Sequence, residues 1–283
     1  MTVGVVGLGL IGGSLCKAFK KNSDYRVLTY DIDETAFRRA VLVGATDGRL
    51  DEKELGNCDF IFIALWPGAT LEYMEKNAQF IKKDAVVIDC CGVKGFVCPK
   101  MFELSEKYGF TYIGGHPMAG IQFSGFNHAK DNLFDGAYMI LVPKKGEQAP
   151  TLEKVKECLK KAGFGHITVT TAEKHDEIIA YTSQLAHVVS NAYVKSPRAK
   201  VHKGFSAGSY KDLTRVAKLS ENMWTELFME NRKNLINELD TIINSLTEYR
   251  DALNDGDSER LCALLRDGRE LKERIDEEWR ELQ

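Results

Sequence analysis

A glycine-rich segment near the N-terminus constrains the fold of this chain more than any other feature. Residues 3–8 form an apolar run with β-branched residues, and GLGLIG at 7–12 leads from it into a helical pattern. Glycines at this spacing let the backbone approach a pyrophosphate closely, and the helix N-terminus receives its negative charge. The segment therefore predicts a dinucleotide-binding strand, turn and helix. The alternative is that the glycines serve only close packing of helix on strand.

Asp31 adds a second part of the same nucleotide site. It ends the second predicted strand, at 25–30, and lies 19 residues after Gly12. A carboxylate there accepts hydrogen bonds from an adenosine ribose and repels a 2′-phosphate, and Ile32 and Asp33 supply no cation to hold one. We therefore predict NAD, rather than NADP, as the cofactor. The residues predicted to bind it here are Gly7, Leu8, Gly9, Leu10, Ile11, Gly12 and Asp31.

Strand and helix patterns alternate through the first 170 residues. Further strands are predicted at 60–65, 85–89, 110–113, 137–142 and 166–170. Helices are predicted near 34–44, 70–82, 96–108 and 151–163. This alternation is typical of a mostly parallel sheet covered by helices, so residues 1–170 are predicted to form a Rossmann domain.

Two segments follow predicted strands at the edge where the cofactor would lie. ALWP at 64–67 and DCCGVKG at 89–95 come at carboxyl ends of strands, which predicts that Leu65, Trp66 and Gly92 line the cofactor crevice. For Trp66 the alternative is an ordinary strand-ending turn, and for Lys94 it is a solvated surface charge.

The chain after residue 170 has helical periodicity only. Helices are predicted at 172–195, 209–217, 221–254 and 257–282, with a connector at 196–209. Residues 171–283 are therefore predicted to form a second, all-α domain. Because long amphipathic helices need an apolar partner, we expect a homodimer that forms through this domain.

Composition excludes several classes of protein. The 38 basic and 41 acidic residues are well mixed and give a net charge of −3, so neither nucleic acid nor an anionic membrane is expected as a partner. No apolar run reaches 18 residues, and the seven cysteines show no paired framework. We expect buried thiols and a cytoplasmic protein. No cluster of histidines, cysteines and carboxylates has the spacing of a metal site.

His116 is the leading candidate for chemistry. It lies in GGHPMAG at 114–120, which is interpreted as a loop after a strand, and Ser124 follows closely. An imidazole at the mouth of the crevice accepts a proton from a hydroxyl that is being oxidised. A structural histidine fits the spacing equally well. Four other histidines have no comparable context: His128, His166, His175 and His202.

Three residues of the helical half are further candidates. His187 lies on a helix that is apolar on most sides, where a histidine either fills the core or faces a ligand. Arg215 lies among apolar neighbours and needs a carboxylate, which either Asp212 or a substrate supplies. Trp224 either belongs to the core or covers a ring-shaped ligand.

Taken together, these segments resemble the prephenate dehydrogenase family over nearly the whole chain. The resemblance rests on VGLGLIGGS at 6–14, YDID at 30–33, DCCGVKG at 89–95, GGHPMAGIQFSG at 114–125, the helix with His187, KDLTRVA at 211–217 and MWTELFMEN at 223–231. It implies NAD-dependent oxidative decarboxylation of prephenate in tyrosine biosynthesis. It also implies that the helical domain at 171–283 binds substrate and forms the dimer. Within the site, it implies that His116 deprotonates the ring hydroxyl, that Arg215 holds a carboxylate, and that the substrate site includes His187, Trp224 and Ser124.

The chain departs from the family pattern at two positions. Gly92 stands where a serine often hydrogen-bonds the catalytic histidine, so water, a backbone group or Ser124 would have to orient His116. Gln184 stands where histidine is common. The alternatives that remain are an arogenate dehydrogenase, a β-hydroxyacid dehydrogenase or imine reductase, and a non-catalytic NAD-binding regulator.

Overall fold

The structure, a computed structural model, describes residues 1–281. The chain forms two compact units. The first is Met1–Arg232 and the second begins at Lys233. The domain boundary predicted at 170/171 falls inside the first unit and stays a prediction. Within residues 1–281, no helix has both the length and the apolar character needed to cross a membrane.

A single eight-stranded sheet organises the first unit. Its strands are β1 (Thr2–Val6), β2 (Arg26–Tyr30), β3 (Gly48–Arg49), β4 (Phe60–Ile63), β5 (Val86–Asp89), β6 (Thr111–Met118), β7 (Tyr138–Pro143) and β8 (His166–Val169). They lie in the order β3-β2-β1-β4-β5-β6-β7-β8, and all neighbours are parallel except β6 and β7. The predicted mostly parallel sheet is confirmed. The prediction missed β3, because two residues are too short to show a period.

Helices cover both faces of this sheet. They are α1 (Leu10–Asn22), α2 (Glu34–Leu42), α3 (Glu52–Leu55), α4 (Pro67–Asn77), α5 (Val97–Tyr108) and α6 (Ala149–Lys161). On one face the ring of Phe19 in α1 lies 5.5 Å from the ring of Phe62 in β4. On the other face Ile61 packs in one cluster with Met101 of α5. All four residues of β4 are buried, as expected for a central parallel strand between two helical layers.

The remaining helices follow the predicted pattern with one interruption. They are α7 (Ala172–Ile179), a π-helical turn (Ala180–Leu185), α8 (Ala186–Tyr193), α9 (Gly208–Thr214), α10 (Glu221–Glu230), α11 (Arg232–Asn254) and α12 (Ser258–Glu281). The predicted helix 221–254 breaks at Asn231, whose buried amide donates hydrogen bonds to the Asp176 carbonyl and to Gln184. Of the predicted helix 257–282, residue 282 lies outside the described residues.

The cysteines differ in one respect from the expectation. All seven lie within the described residues and are free thiols, but Cys262 in α12 is exposed and Cys90 is only half-buried. The expectation of buried thiols is therefore wrong at Cys262. Cys262 is exposed because it lies on α12, a strongly polar helix, and the chemistry of sulfur does not decide its burial.

Candidate active site

The glycine loop has the geometry of a nucleotide cradle. A β-carbon on Gly12 would lie 1.8 Å from the Gly7 carbonyl oxygen, so close packing alone requires glycine there. A β-carbon on Gly9, in contrast, would meet no atom within 4 Å, so the protein itself does not require glycine at that position. Helix α1 begins directly after Gly9 and has no side-chain cap. The open space and the uncapped amides fit a pyrophosphate.

Asp31 is held beside this loop by backbone amides. Its Oδ2 accepts a hydrogen bond from the Leu8 amide at 2.5 Å, and its Oδ1 accepts one from the Asp33 amide at 2.7 Å. Each carboxylate oxygen keeps a further lone pair for a ribose hydroxyl. The arrangement fits the predicted ribose contact, and no basic side chain is bonded to this carboxylate within the described part of the chain.

The predicted cofactor walls lie at the same edge of the sheet. The Leu65 side chain would come within 2.8 Å of a β-carbon on Gly7, so β4 ends against the glycine loop. Trp66 precedes the first turn of α4 and keeps 48% of its surface exposed. Gly92 follows β5, whose neighbour Cys91 contacts the Leu65 carbonyl through its Sγ at 3.5 Å. Leu65 therefore borders the glycine loop directly, Trp66 and Gly92 follow the ends of β4 and β5, and the contact of all three with cofactor stays a prediction.

His116 lies within strand β6 and not in a loop after it, so that part of the prediction is wrong. The antiparallel ladder with β7 continues through the glycines, pairing His116 with Ile140 and Met118 with Tyr138. Because hydrogen bonding to β7 continues past Gly115, the backbone stays extended until Met118. The imidazole is therefore carried by a rigid element of the sheet.

A chain of two histidines and a carboxylate orients the His116 ring. His116 Nδ1 lies 2.9 Å from His175 Nε2, and His175 Nδ1 lies 2.7 Å from Asp176 Oδ1. Asp176 also accepts hydrogen bonds from the Lys94 and Gly95 amides. His175, which the sequence interpretation set aside, is thus the ring partner of His116. Ser124 is not that partner and lies exposed in the loop after β6. The adjacent His-Asp pair at the start of α7 was the only sequence signal.

Burial keeps both imidazoles neutral near pH 7. Burial, together with the charges of His175 and Lys94, lowers the pKa of His116 well below 6.5. Burial also lowers the pKa of His175, although its hydrogen bond to Asp176 opposes this effect. A neutral imidazole has one donor and one acceptor nitrogen, so both rings retain a nitrogen that accepts a proton.

Lys94 is fully buried, so its interpretation as a solvated surface charge is wrong. Its ammonium pairs with Asp89, and the side chains of both residues are 0% exposed. Burial alone would lower the pKa of Lys94, but attraction to Asp89 outweighs it and raises the pKa. Asp89 also accepts hydrogen bonds from the Tyr112 hydroxyl at 2.8 Å and the Gly115 amide at 3.0 Å. This network joins the 89–95 segment to β6 directly beside His116.

His187, Trp224 and Arg215 form a second group. The His187 ring stacks on Trp224 with 3.8 Å between ring centroids, and its Nδ1 donates to the Ser183 carbonyl at 2.9 Å. Its Nε2 is therefore the acceptor nitrogen. Burial lowers the pKa of His187, and the positive charge of Arg215 adds to this effect. The three residues thus lie near one another, and their contact with substrate stays a prediction.

Arg215 does not pair with Asp212, the protein partner considered from the sequence. It follows the last turn of α9, is exposed, and forms no ion pair with any residue of the described chain. A guanidinium in this state has the donor geometry for two parallel hydrogen bonds to a ligand carboxylate.

Helix α10 connects the two groups. Leu227, three residues after Trp224, would lie 3.3 Å from a β-carbon on Gly92, and that same β-carbon would lie 4.0 Å from His116 Nε2. Glu226 accepts a hydrogen bond from the Gly68 amide at 2.7 Å, beside Trp66. One short helix therefore contacts both the predicted cofactor walls and the group around His187. Gln184, which replaces the common histidine, is buried and donates to the Leu227 carbonyl at 3.1 Å.

Comparison with known proteins identifies relatives along nearly the full chain. Residues 15–168 match the family model for the prephenate dehydrogenase nucleotide-binding domain, and residues 171–267 match that for the prephenate dehydrogenase dimerization domain. A prephenate dehydrogenase of Bacillus subtilis (strain 168) is 29% identical over 282 residues, which cover 96% of this chain and 75% of the relative. A cyclohexadienyl dehydrogenase of Zymomonas mobilis is 29% identical, with 90% of each chain covered.

A solved structure has the same fold. The crystal structure of prephenate dehydrogenase from A. aeolicus in complex with hydroxyphenyl propionate and NAD+ superimposes with a TM-score of 0.84 at 28% identity. The match covers 97% of this chain and 98% of the other. The similarity therefore includes both the sheet and the helices that follow it.

Proposed function

The chain belongs to the prephenate dehydrogenase family, and we propose that it converts prephenate to 4-hydroxyphenylpyruvate and carbon dioxide with NAD as oxidant. The observation that carries this proposal is His116, a neutral imidazole on a rigid strand beside the predicted cofactor walls. A non-catalytic NAD-binding regulator would need neither a buried base nor an arginine without a carboxylate partner in the described chain.

The residues divide the chemistry between a nucleotide side and a substrate side. Gly7, Gly9 and Gly12 would hold the pyrophosphate of NAD and Asp31 its ribose, and the cofactor, when bound, would supply the hydride acceptor for C4 of prephenate. His116 accepts the proton of the C4 hydroxyl through Nε2, which favours formation of the carbonyl as hydride leaves. The bond from C1 to its carboxylate then breaks, its electron pair aromatises the ring as carbon dioxide departs, and the ring oxygen takes the proton back from His116. The protein thus supplies a base and an orientation for the two reactants.

Arg215 and His187 bind the substrate in this proposal. The unpaired guanidinium of Arg215 binds a carboxylate of prephenate, and the acceptor Nε2 of His187 faces the same site. Trp224, stacked on His187, covers the ring, and Ser124 contributes a hydroxyl from the exposed loop after β6. On the nucleotide side, the cofactor contacts the backbone of Leu8, Leu10 and Ile11. Its crevice is lined by Leu65, Trp66 and Gly92.

Absorbance of reduced nicotinamide tests the proposal. Purified protein with NAD and prephenate is expected to produce reduced nicotinamide and 4-hydroxyphenylpyruvate. Parallel reactions with arogenate, the amino analogue, and with NADP define substrate and cofactor preference. Absence of reduced nicotinamide with prephenate would contradict the proposal, and activity confined to arogenate would reassign the substrate.

We further propose a homodimer that forms through the helical domain, predicted as 171–283. The second unit exposes large apolar side chains along α11 and α12. Among them are Leu246, Leu253 and Leu265, whose exposed fractions are 60%, 64% and 59%. Water-exposed leucines on long helices favour association with a second apolar surface. Light scattering coupled to size-exclusion chromatography is expected to give twice the chain mass, and a monomer would contradict the proposal. Seven free thiols support a cytoplasmic location.

A further inference from the structure

We infer that His175 and Asp176 are positioning residues that select the tautomer of His116 and direct its Nε2 toward the substrate. The inference rests on the proposed role of His116 as base. At position 92, glycine provides no side chain that could orient this base.

Asp176 determines which nitrogen of His175 carries hydrogen. Its Oδ1 accepts from the Lys94 amide at 2.8 Å and its Oδ2 accepts from the Gly95 amide at 2.7 Å. Backbone amides only donate, so this carboxylate acts as an acceptor through both oxygens. The third contact, from His175 Nδ1 at 2.7 Å, is then a hydrogen bond donated by the imidazole. A neutral His175 therefore has its lone pair on Nε2.

His175 in turn determines the tautomer of His116. The lone pair on His175 Nε2 lies 2.9 Å from His116 Nδ1, so Nδ1 must carry the hydrogen and donate it. The other tautomer of His116 would oppose two lone pairs at that distance, which is unfavourable in a buried site. His116 Nε2 is left with the lone pair that accepts the proton of the substrate hydroxyl.

The geometry makes this orientation rigid. His175 is buried at the start of α7, which Thr171 caps through a hydrogen bond to the Lys174 amide. Asp176 is 5% exposed and joins α7 to the 94–95 segment. The charged groups that act on the His116 and His175 rings belong to two parts of the chain. Asp176 lies on α7, and Asp89 and Lys94 lie at the end of β5 and in the segment after it.

The charges around the pair assist the transfer. When His116 Nε2 takes the substrate proton, the ring becomes an imidazolium whose Nδ1–H remains bonded to His175. The Asp176 carboxylate stabilises that positive charge through His175, and the proton stays on His116. The Lys94 ammonium opposes a positive charge on these rings, and its partner Asp89 offsets part of that opposition at His175.

Nitrogen-15 NMR of labelled histidine tests the inference without a catalytic assay. Spectra of the unmodified protein, recorded above the ordinary histidine pKa of about 6.5, report the tautomer of each ring directly. We expect both His116 and His175 to carry hydrogen on Nδ1. Hydrogen on Nε2 of His116 in this spectrum would overturn the inference, whether or not the protein oxidises prephenate. Absence of turnover with the expected tautomers would instead contradict only the proposed function.

Two variants of His175 separate orientation from folding. His175→Leu removes the acceptor and is expected to lower kcat about tenfold or more, with the KM values for NAD and prephenate little changed, since residues that orient a base act on turnover. His175→Gln places an amide oxygen near the position of Nε2 and is expected to recover most of the loss and restore hydrogen on His116 Nδ1. Equal activity of the folded leucine variant and the unmodified protein would overturn the inference.

Asp176→Asn provides an independent test. An amide at this position donates to His175 Nδ1, so the hydrogen moves to Nε2 of His175 and, in turn, to Nε2 of His116. The expected result is a reversed tautomer at both rings and a loss of kcat of about a hundredfold or more, as expected when a catalytic histidine is held in the wrong tautomer. Unchanged tautomers in the folded variant would overturn the inference.

Discussion

Substitution of His116 by asparagine separates the base from the hydrogen bond that orients it. An asparagine amide reaches the position of Nδ1, so it keeps a donor for His175 Nε2, which lies 2.9 Å from Nδ1 in the native ring. Nothing in asparagine replaces Nε2, the nitrogen that accepts the substrate proton. The variant therefore removes one chemical function and preserves the contact that joins β6 to α7.

The expected loss follows from the role of that nitrogen. A positioned general base contributes about 10²–10⁴-fold to a rate, which corresponds to about 2.7–5.5 kcal/mol of transition-state stabilisation. We expect kcat of His116→Asn to fall by at least about a hundredfold. The affinity for NAD should change little, because the nucleotide contacts predicted at Gly7–Gly12 and Asp31 are made by other elements.

The pH dependence provides a second measurement on the same variant. Burial holds the pKa of His116 well below 6.5, so the ring remains a base as the pH falls through 6.5. The value of kcat/KM for the unmodified protein should therefore decline only at pH values below 6.5, since this parameter reports the free enzyme. In His116→Asn this acidic decline should be absent.

Steady-state kinetics with prephenate and NAD, together with NAD titration, are the assays. His166→Asn is a matched control, because His166 is an exposed histidine on the edge strand β8 and should leave turnover unchanged. Near-normal turnover of His116→Asn, or an acidic decline that persists in it, would refute the assignment of His116 as the base.

Three further predictions concern charged residues. Arg215→Ala should raise the KM for prephenate about tenfold and lower kcat less, because one charge-assisted carboxylate contact is lost; kinetics in which only kcat falls would contradict this. Asp31→Asn should weaken the binding of NAD in an equilibrium titration and reduce the preference for NAD over NADP. An unchanged preference would count against the ribose contact. Lys94→Met should destabilise the fold by about 3–5 kcal/mol in urea denaturation, since Asp89 is left buried and uncompensated. Adding Asp89→Asn should recover part of that loss, and an unchanged unfolding midpoint in Lys94→Met would contradict the burial argument.

The elements that were predicted correctly from the sequence are those that depend on the pattern of adjacent residues. Apolar runs next to glycines place β1 and α1 with the GLGLIG segment between them, because the helix and strand periods and the glycine spacing are properties of adjacent residues. The prediction was weakest where distant residues decide the conformation. His116 is in a strand because β7 pairs with it, and the predicted helix 221–254 breaks because Asn231 bonds to Asp176 and Gln184.

The candidate site divides in the same way. By itself the sequence determined the nucleotide fold, the family and the candidate base, because each is encoded in contiguous residues whose spacing carries the chemistry. Only the tertiary structure decided that Lys94 is buried with Asp89 and that His175, 59 residues from His116, orients its ring. The physical reason is that a hydrogen bond at 2.9 Å depends on how β6 and α7 pack, and no period or spacing along the chain specifies that distance.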